Sequence, residues 1–267
     1  LDQGQPVRVI VRDAAKGEPW RARGAEVAVA SLTDTQALTR ALTGASGAYL
    51  LVPPRLDSVD PMGDNLAVAR SLARAAADAR VEHVAMVSSQ GAHQPDGTGI
   101  ILSARAAERE LAGAVPAVTF VRAPAFLENW GGVLAMVAGG VLPTFLPVDL
   151  SVPMVATADI GRTAAHALRE GGQGRQVIEL SGPRPYSADD IAAVLSELTG
   201  RPVRAQQAPL EAVVPTMTRM GMTATLAELF RQMYAGVIGG RVAPEAGARA
   251  VRGTVTAGEV LGPMLAR

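Results

Sequence analysis

The sequence predicts an α/β fold, a doubly wound parallel sheet with a smaller C-terminal α/β lobe. Three observations predict it. Short β-branched apolar runs recur along the chain, segments of helical periodicity separate them, and a polar or turn-forming stretch closes each run. Strands that alternate with helices form parallel sheets covered on both faces. At 267 residues with 48% hydrophobic content the chain can bury a substantial core.

VRVIV (7–11) and EVAVA (26–30) read as two buried strands, ended by RDAAKGEP and SLTD. DTQALTRALTG follows, with an aspartate to cap a helix, Leu38 and Leu42 four residues apart, and a glycine to stop it. AYLLV (48–52) is a strand stopped by Pro53 and Pro54, and a helix runs from about Asp60 to Ala79. HVAMV (83–87), a helix over 100–113 and the strand AVTFV (117–121) repeat the pattern. Further on, VPMVATADIGRTAAHALRE predicts a helix capped by Asp159, and QVIEL a strand. YSADDIAAVLSELTG opens with a Ser-x-x-Asp cap at Ser187 and closes on Gly200, and PTMTRMGMTATLAELFRQMY is mostly helical. The expected division is a doubly wound domain over 1–125 and a lobe over 126–267 interleaved with the sheet.

Charge excludes some functions. The 25 basic and 25 acidic residues cancel, which leaves no electrostatic footprint for nucleic acid or an anionic membrane surface. No window is apolar for long enough to span a bilayer, and LDQGQPVRV lacks the regions of a signal peptide. With no cysteine, disulfides and thiolate chemistry are excluded, and a cytoplasmic location is expected. His83, His93 and His166 show no ligand spacing, so no metal site is expected. Lys16, in a polar loop, is the sole lysine available as an amine.

Ligands of open parallel sheets bind beyond the C-terminal ends of the strands. Here those ends are Arg12, Ser31 with Leu32, Val52 to Pro54, Ser88 with Ser89, and Arg122 to Pro124. All five carry polar or turn-forming residues, as a crevice requires.

VRVIVRD, GAEVAVASLTDTQALTRALTGASGAYLLVPP, VEHVAMVSSQGA, VTFVRAPAFLENW, DIGRTAAHAL, ELSGPRPYSADDIAAVLSELTGRPV and the GTVTAGEVL tail, in that order, resemble the NmrA-like family of atypical short-chain dehydrogenase/reductases. The resemblance implies a Rossmann-like fold that binds NADP or NAD. It leaves three functions open: an NAD(P)-dependent reductase, a tailoring enzyme of secondary metabolism such as a monooxygenase, and a regulator that binds the cofactor without turnover.

The sequence departs from the family twice. The family opens with a strand and a Gly-rich turn, whereas LDQGQPVRV resembles the end of the helix after that turn. The absent strand would lie between VRVIV and AYLLV, so the expectation is a native N-terminal extension of roughly twenty residues, one β-α half-unit. The second departure is in IILSARAAERE. Active short-chain reductases place a tyrosine here as proton donor, and a lysine one turn later. Alignment on Glu108 and Leu111 puts Ile100 and Ala104 at those positions, and neither can move a proton. Arg105 is adjacent, but one residue turns a helix by roughly 100°.

The resemblance assigns cofactor contacts to Arg12, Ser31, Leu32, Val52, Pro53, Pro54, Ser88, Ser89, Ala123 and Pro124. Arg12 stands where an arginine would meet the 2′-phosphate of NADP, which tilts the expectation toward NADP, and Asp13 beside it could take the ribose hydroxyl of NAD. Gly91, Phe126, Asn129 and Trp130 are expected at the substrate pocket. Met217, Met220, Met222 and Met233 offer a flexible apolar wall, with core packing as the alternative; Met217 and Met220 are assigned to the pocket. The expected activity is hydride transfer to an aromatic, quinone-like small molecule. A quinone that accepts hydride becomes a phenolate-type anion and needs little help from a general acid.

Overall fold

The computed structural model describes residue 1 and residues 4–266. In chain order the elements are β1 (Arg8–Val11), α1 (Glu18–Arg21), β2 (Glu26–Val29), α2 (Thr35–Leu42), β3 (Gly47–Leu50), α3 (Pro61–Asp78), β4 (His83–Ser89), α4 (Ile101–Leu111), β5 (Ala117–Ala123) and β6 (Ala125–Phe126). There follow α5 (Leu134–Val137), β7 (Val141–Thr144), β8 (Val152–Val155), α6 (Thr157–Glu170), β9 (Gly174–Ser181), β10 (Pro185–Tyr186), α7 (Ala188–Thr199) and β11 (Arg204–Gln207). The chain ends in α8 (Val213–Arg219), α9 (Ala224–Ile238), β12 (Arg249–Arg252) and α10 (Ala257–Leu265).

The principal sheet has the order β12-β9-β5-β4-β3, and every pairing in it is parallel. Alternation along β4 and β5 sends Val84, Met86, Val118 and Phe120 toward Leu38 of α2, Leu72 of α3 and Leu111 of α4. Their neighbours Ala85, Val121 and Ala123 face Ile160 and Ala164 of α6 on the other side. Helices therefore cover both faces, as the doubly wound prediction requires. A separate core of the C-terminal lobe joins Leu127, Leu142, Tyr186, Ile191, Leu195 and Leu261.

β1 and β2 form their own parallel pair. They were expected to be buried, but their residues are exposed or half-exposed, and Val29 is 53% accessible. The cause is topological: among the described residues β1 pairs only with β2, and the β3 edge of the main sheet has no partner. Ile10 and α2 still tie the pair to the main core, with the Arg8 guanidinium donating to the carbonyls of Ala41 and Thr43 at the end of α2.

The helix caps follow the sequence at Asp34, Asp60 and Ser187, whose side chains accept from Ala37, Gly63 and Asp190 backbone N–H groups. Asp159 is different. The N-cap position of α6 is Ala156, and Asp159 lies inside the first turn, buried, accepting from the N–H groups of Thr254 and Val255 and from Arg162. It fastens the chain leaving β12 to α6. Among the described residues no helix is long and apolar enough to cross a membrane.

Candidate active site

β3, β4, β5, β9 and β12 run parallel, so their C-terminal ends lie together at one end of the main sheet. At the end of β1, Arg12 is exposed and makes no hydrogen bond or ion pair among the described residues. Asp13 beside it caps the following 3-10 turn, accepting from the Ala15 N–H at 3.0 Å. Beyond β2, Ser31 is exposed, with its hydroxyl 3.0 Å from that of Thr33, while Leu32 packs on the core. Val52 packs inward too, and Pro53 and Pro54 stay exposed beyond β3. This rim fits an anionic dinucleotide: a guanidinium with no internal partner stands beside short turns whose backbone is open.

Toward the middle of the sheet the site becomes buried. Ser88, Arg122 and Glu179 stand side by side on β4, β5 and β9 in successive register, and all three are buried. Ser88 donates to Glu108 Oε1 at 2.6 Å, and Arg122 donates to both oxygens of Glu108 at 2.7 and 2.8 Å. Arg122 Nη1 also reaches Glu245 at 2.5 Å and Glu179 at 3.4 Å, and Arg175 adds a contact to Glu108 at 3.2 Å. Burial works to raise the Glu108 carboxyl, but Arg122 and Ser88 outweigh it and hold it below the ordinary range. Glu179 moves the other way, because burial outweighs its bond from the Glu245 N–H and the pull of Arg122. The Ser88 hydroxyl therefore serves an internal ion-pair network.

Ser89 donates to the Gln90 carbonyl, and the Gln90 N–H bonds the Ala123 carbonyl at 3.0 Å, which joins the loops after β4 and β5. Ala123 and Pro124 are buried there. Gly91 is buried at φ +82°, and a Cβ on it would lie 3.3 Å from Val242 Cα, so the segment after α9 passes directly over it. Phe126 packs half-buried against the α6-facing core, and Asn129 is exposed. Trp130 packs half-buried in the C-terminal core, its ring N–H 3.5 Å from Met154 Sδ. Met217 is buried among Val213, Ala227, Phe145 and Tyr234, whereas Met220 is 61% exposed. Met220 is not among the residues packed in that cluster.

At the start of α4, Ile100 occupies the N-cap position and its N–H bonds the Leu229 carbonyl of α9. A Cβ on Gly99 would lie 2.1 Å from that carbonyl, so α9 closes over this turn. Ala104 is one turn on, half-buried. Arg105 turns its guanidinium to the carbonyls of His93 and Ala92, at 2.7 and 3.4 Å, and is committed to holding that loop.

Sequence reasoning missed the Glu108–Arg122–Glu179 network. The available signal was a lone charge at the end of each apolar run, in VTFVRAP and QVIELSG, facing a glutamate on AAEREL. A charge in so apolar a setting requires a partner.

A parallel sheet wound on both faces, with a polar rim at its strand ends, defines a Rossmann-type α/β protein. Residues 1–237 match the NmrA-like family, and the chain belongs to it. It is 30% identical over 234 residues to the NAD(P)H azoreductase of Xenophilus azovorans, covering 86% of this chain and 78% of that one. It is 26% identical over 238 residues to quinone oxidoreductase 2 of Escherichia coli K12, covering 85% and 77%. The fold superposes on the crystal structure of the NADPH-dependent quinone oxidoreductase of Escherichia coli complexed with NADPH at a TM-score of 0.78 and 23% identity, covering 98% of this chain and 93% of that one.

Proposed function

We propose that this protein is an NAD(P)H-dependent oxidoreductase that reduces aromatic, quinone-like small molecules. Kinship with an azoreductase and a quinone oxidoreductase supports the reaction class. The observation that selects the acceptor is the first turn of α4, where Ile100 and Ala104 carry no ionisable group and Arg105 is bonded to backbone carbonyls. When bound, the dinucleotide supplies the hydride. The chain supplies orientation: Arg12 would hold the 2′-phosphate, and the Ser88 to Gly91 turn and the Ala123 to Asn129 loop would form the walls. A quinone becomes a stabilised phenolate-type anion and takes its proton from solvent; an alkoxide formed from a ketone lacks that stabilisation.

Single-turnover oxidation of bound NADPH, followed with a quinone and then with a ketone of similar size, tests the reading. Rapid oxidation by the quinone and little by the ketone is expected. Fast reduction of the ketone would reveal another proton donor, and tight NADPH binding with no oxidation by any acceptor would instead indicate a dinucleotide sensor.

A further inference from the structure

We propose that His93, Glu179 and Glu245 form a binding site for one divalent transition-metal cation, with zinc as the best match to the ligands. The inference is independent of the hydride chemistry above. It starts from a juxtaposition that the sequence hides: the loop after β4, the end of β9 and the segment before β12 each bring one ligand, and their ligand atoms all lie within 4.8 Å of one another.

Two observations inside this cluster call for a ligand. Glu179 is 4% exposed, and its Oε2 is buried with no hydrogen-bond partner, although Oε1 takes bonds from the Glu245 N–H and Arg122. His93 Nδ1 is likewise buried without a partner, while its Nε2 lies 3.1 Å from the Gln94 amide. A buried carboxylate oxygen and a buried imidazole nitrogen left unpaired together are costly, and a cation satisfies both at once.

Charge supports the same occupant. The network holds three carboxylates, Glu108, Glu179 and Glu245, against two guanidinium groups, Arg122 and Arg175. Among the described residues Arg175 pairs with Glu108 and with neither Glu179 nor Glu245, and it is half exposed, so the excess negative charge rests at the Glu179–Glu245 end. One imidazole and two carboxylates suit zinc, and disfavour magnesium, which prefers oxygen and retains its water. A tetrahedral zinc holds its ligand atoms about 3.4 Å apart, so small side-chain rotations would bring these three together and leave a fourth position to water. The neighbouring guanidinium is compatible, because Arg122 engages Glu245 through Oε2 at 2.5 Å and Glu179 through Oε1 at 3.4 Å and leaves one oxygen of each carboxylate for the cation.

Such a cation would have a mechanical consequence. The segment over 239–248 crosses the loop after β4, with Val242 against Gly91 and Arg241 paired to Asp96 at 2.6 Å. Metal at His93, Glu179 and Glu245 fastens this strap to the sheet end.

The test titrates the full chain, stripped with chelator, with Zn²⁺ by calorimetry and with Co²⁺ by visible absorption, using Mg²⁺ as control. One equivalent of Zn²⁺ should bind, raise the melting temperature, and slow tryptic cleavage at Arg241 and Arg249. His93→Ala and Glu179→Gln should each weaken binding by at least about tenfold, whereas His166→Ala should leave it unchanged. Should either site variant fold poorly, the Co²⁺-loaded unaltered protein decides by NMR, where a hyperfine-shifted imidazole N–H from one histidine is expected. No saturable binding at millimolar Zn²⁺, full binding in both site variants, or no shifted imidazole signal overturns the proposal.

Discussion

Arg122 stands where a charge is most expensive, in the middle strand of the main sheet with its side chain 1% exposed. Its two-pronged bond to Glu108 makes that position tolerable, and the pairing is a condition of folding more than a surplus of stability. Arg122→Met should therefore cost about 3–5 kcal/mol, because it strands the Glu108 carboxylate, as should Glu108→Gln to a lesser degree. The double variant Arg122→Met with Glu108→Leu should recover part of the loss in urea titrations. A double variant as unstable as the sum of Arg122→Met and Glu108→Leu measured singly would mean that the two residues act independently. At the end of β1, Arg12 has no hydrogen-bond or ion-pair partner among the described residues. Arg12→Ala should leave stability unchanged and weaken NADPH by about tenfold or more, with little effect on NADH, since only NADPH carries the 2′-phosphate. Isothermal titration of both cofactors separates this outcome from equal losses, which would make Arg12 a plain surface residue.

Among the elements, Asp159 shows how a local reading and a tertiary contact compete. Its place in DIGRTAAHAL suggests an N-cap, but the carboxylate serves Thr254 and Val255 from the far end of the sequence. Burial works to raise its pKa, yet the N–H groups of Val255 and Thr254 and the Arg162 guanidinium outweigh it and hold it below the usual carboxylate range. A depressed folded-state value stabilises the protein above the unfolded value, and the benefit is lost as pH falls through the folded one. Asp159→Asn should thus cost about 1.5–3 kcal/mol at pH 7, a gap that stays constant down to about pH 5 and shrinks below about 4. Urea titrations at three pH values measure it, and a gap that persists undiminished in acid would assign the loss to geometry and not to charge. The same competition sets what the sequence discloses. Caps at Asp34, Asp60 and Ser187 were legible because cap and partner lie within three residues of each other. The Ser88–Arg122–Glu179 row was not, since it needs the register of three strands, and the assignment of Met217 and Met220 to the pocket rested on the adaptable shape of methionine, which says nothing about which face is covered.

Across the whole molecule, burial is uneven, and the unevenness follows the topology. β4 and β5 lie in the interior of the main sheet, paired on both edges and covered by α3 and α4 on one face and α6 on the other. β1 and β2 pair only with each other among the described residues and keep exposed or half-exposed side chains throughout. Local opening free energy scales with buried apolar contact and with the backbone bonds that must break together. Amides of β4 and β5 should therefore exchange hydrogen only through global unfolding, whereas those of β1 and β2 should exchange through a smaller opening, faster by orders of magnitude. The cofactor reading adds a directional expectation, because Arg12, Ser31 and Leu32 lie at the ends of the less protected pair. NADPH should slow exchange in β1 and β2 much more than in β4 and β5, whose protection is already limited by global stability. Hydrogen exchange read by mass spectrometry on peptides spanning residues 7–32 and 83–123, with and without NADPH, measures both differences. Equal protection of the two regions without ligand would show that β1 and β2 fold as part of the central unit, and ligand-induced protection confined to 83–123 would place the dinucleotide away from Arg12.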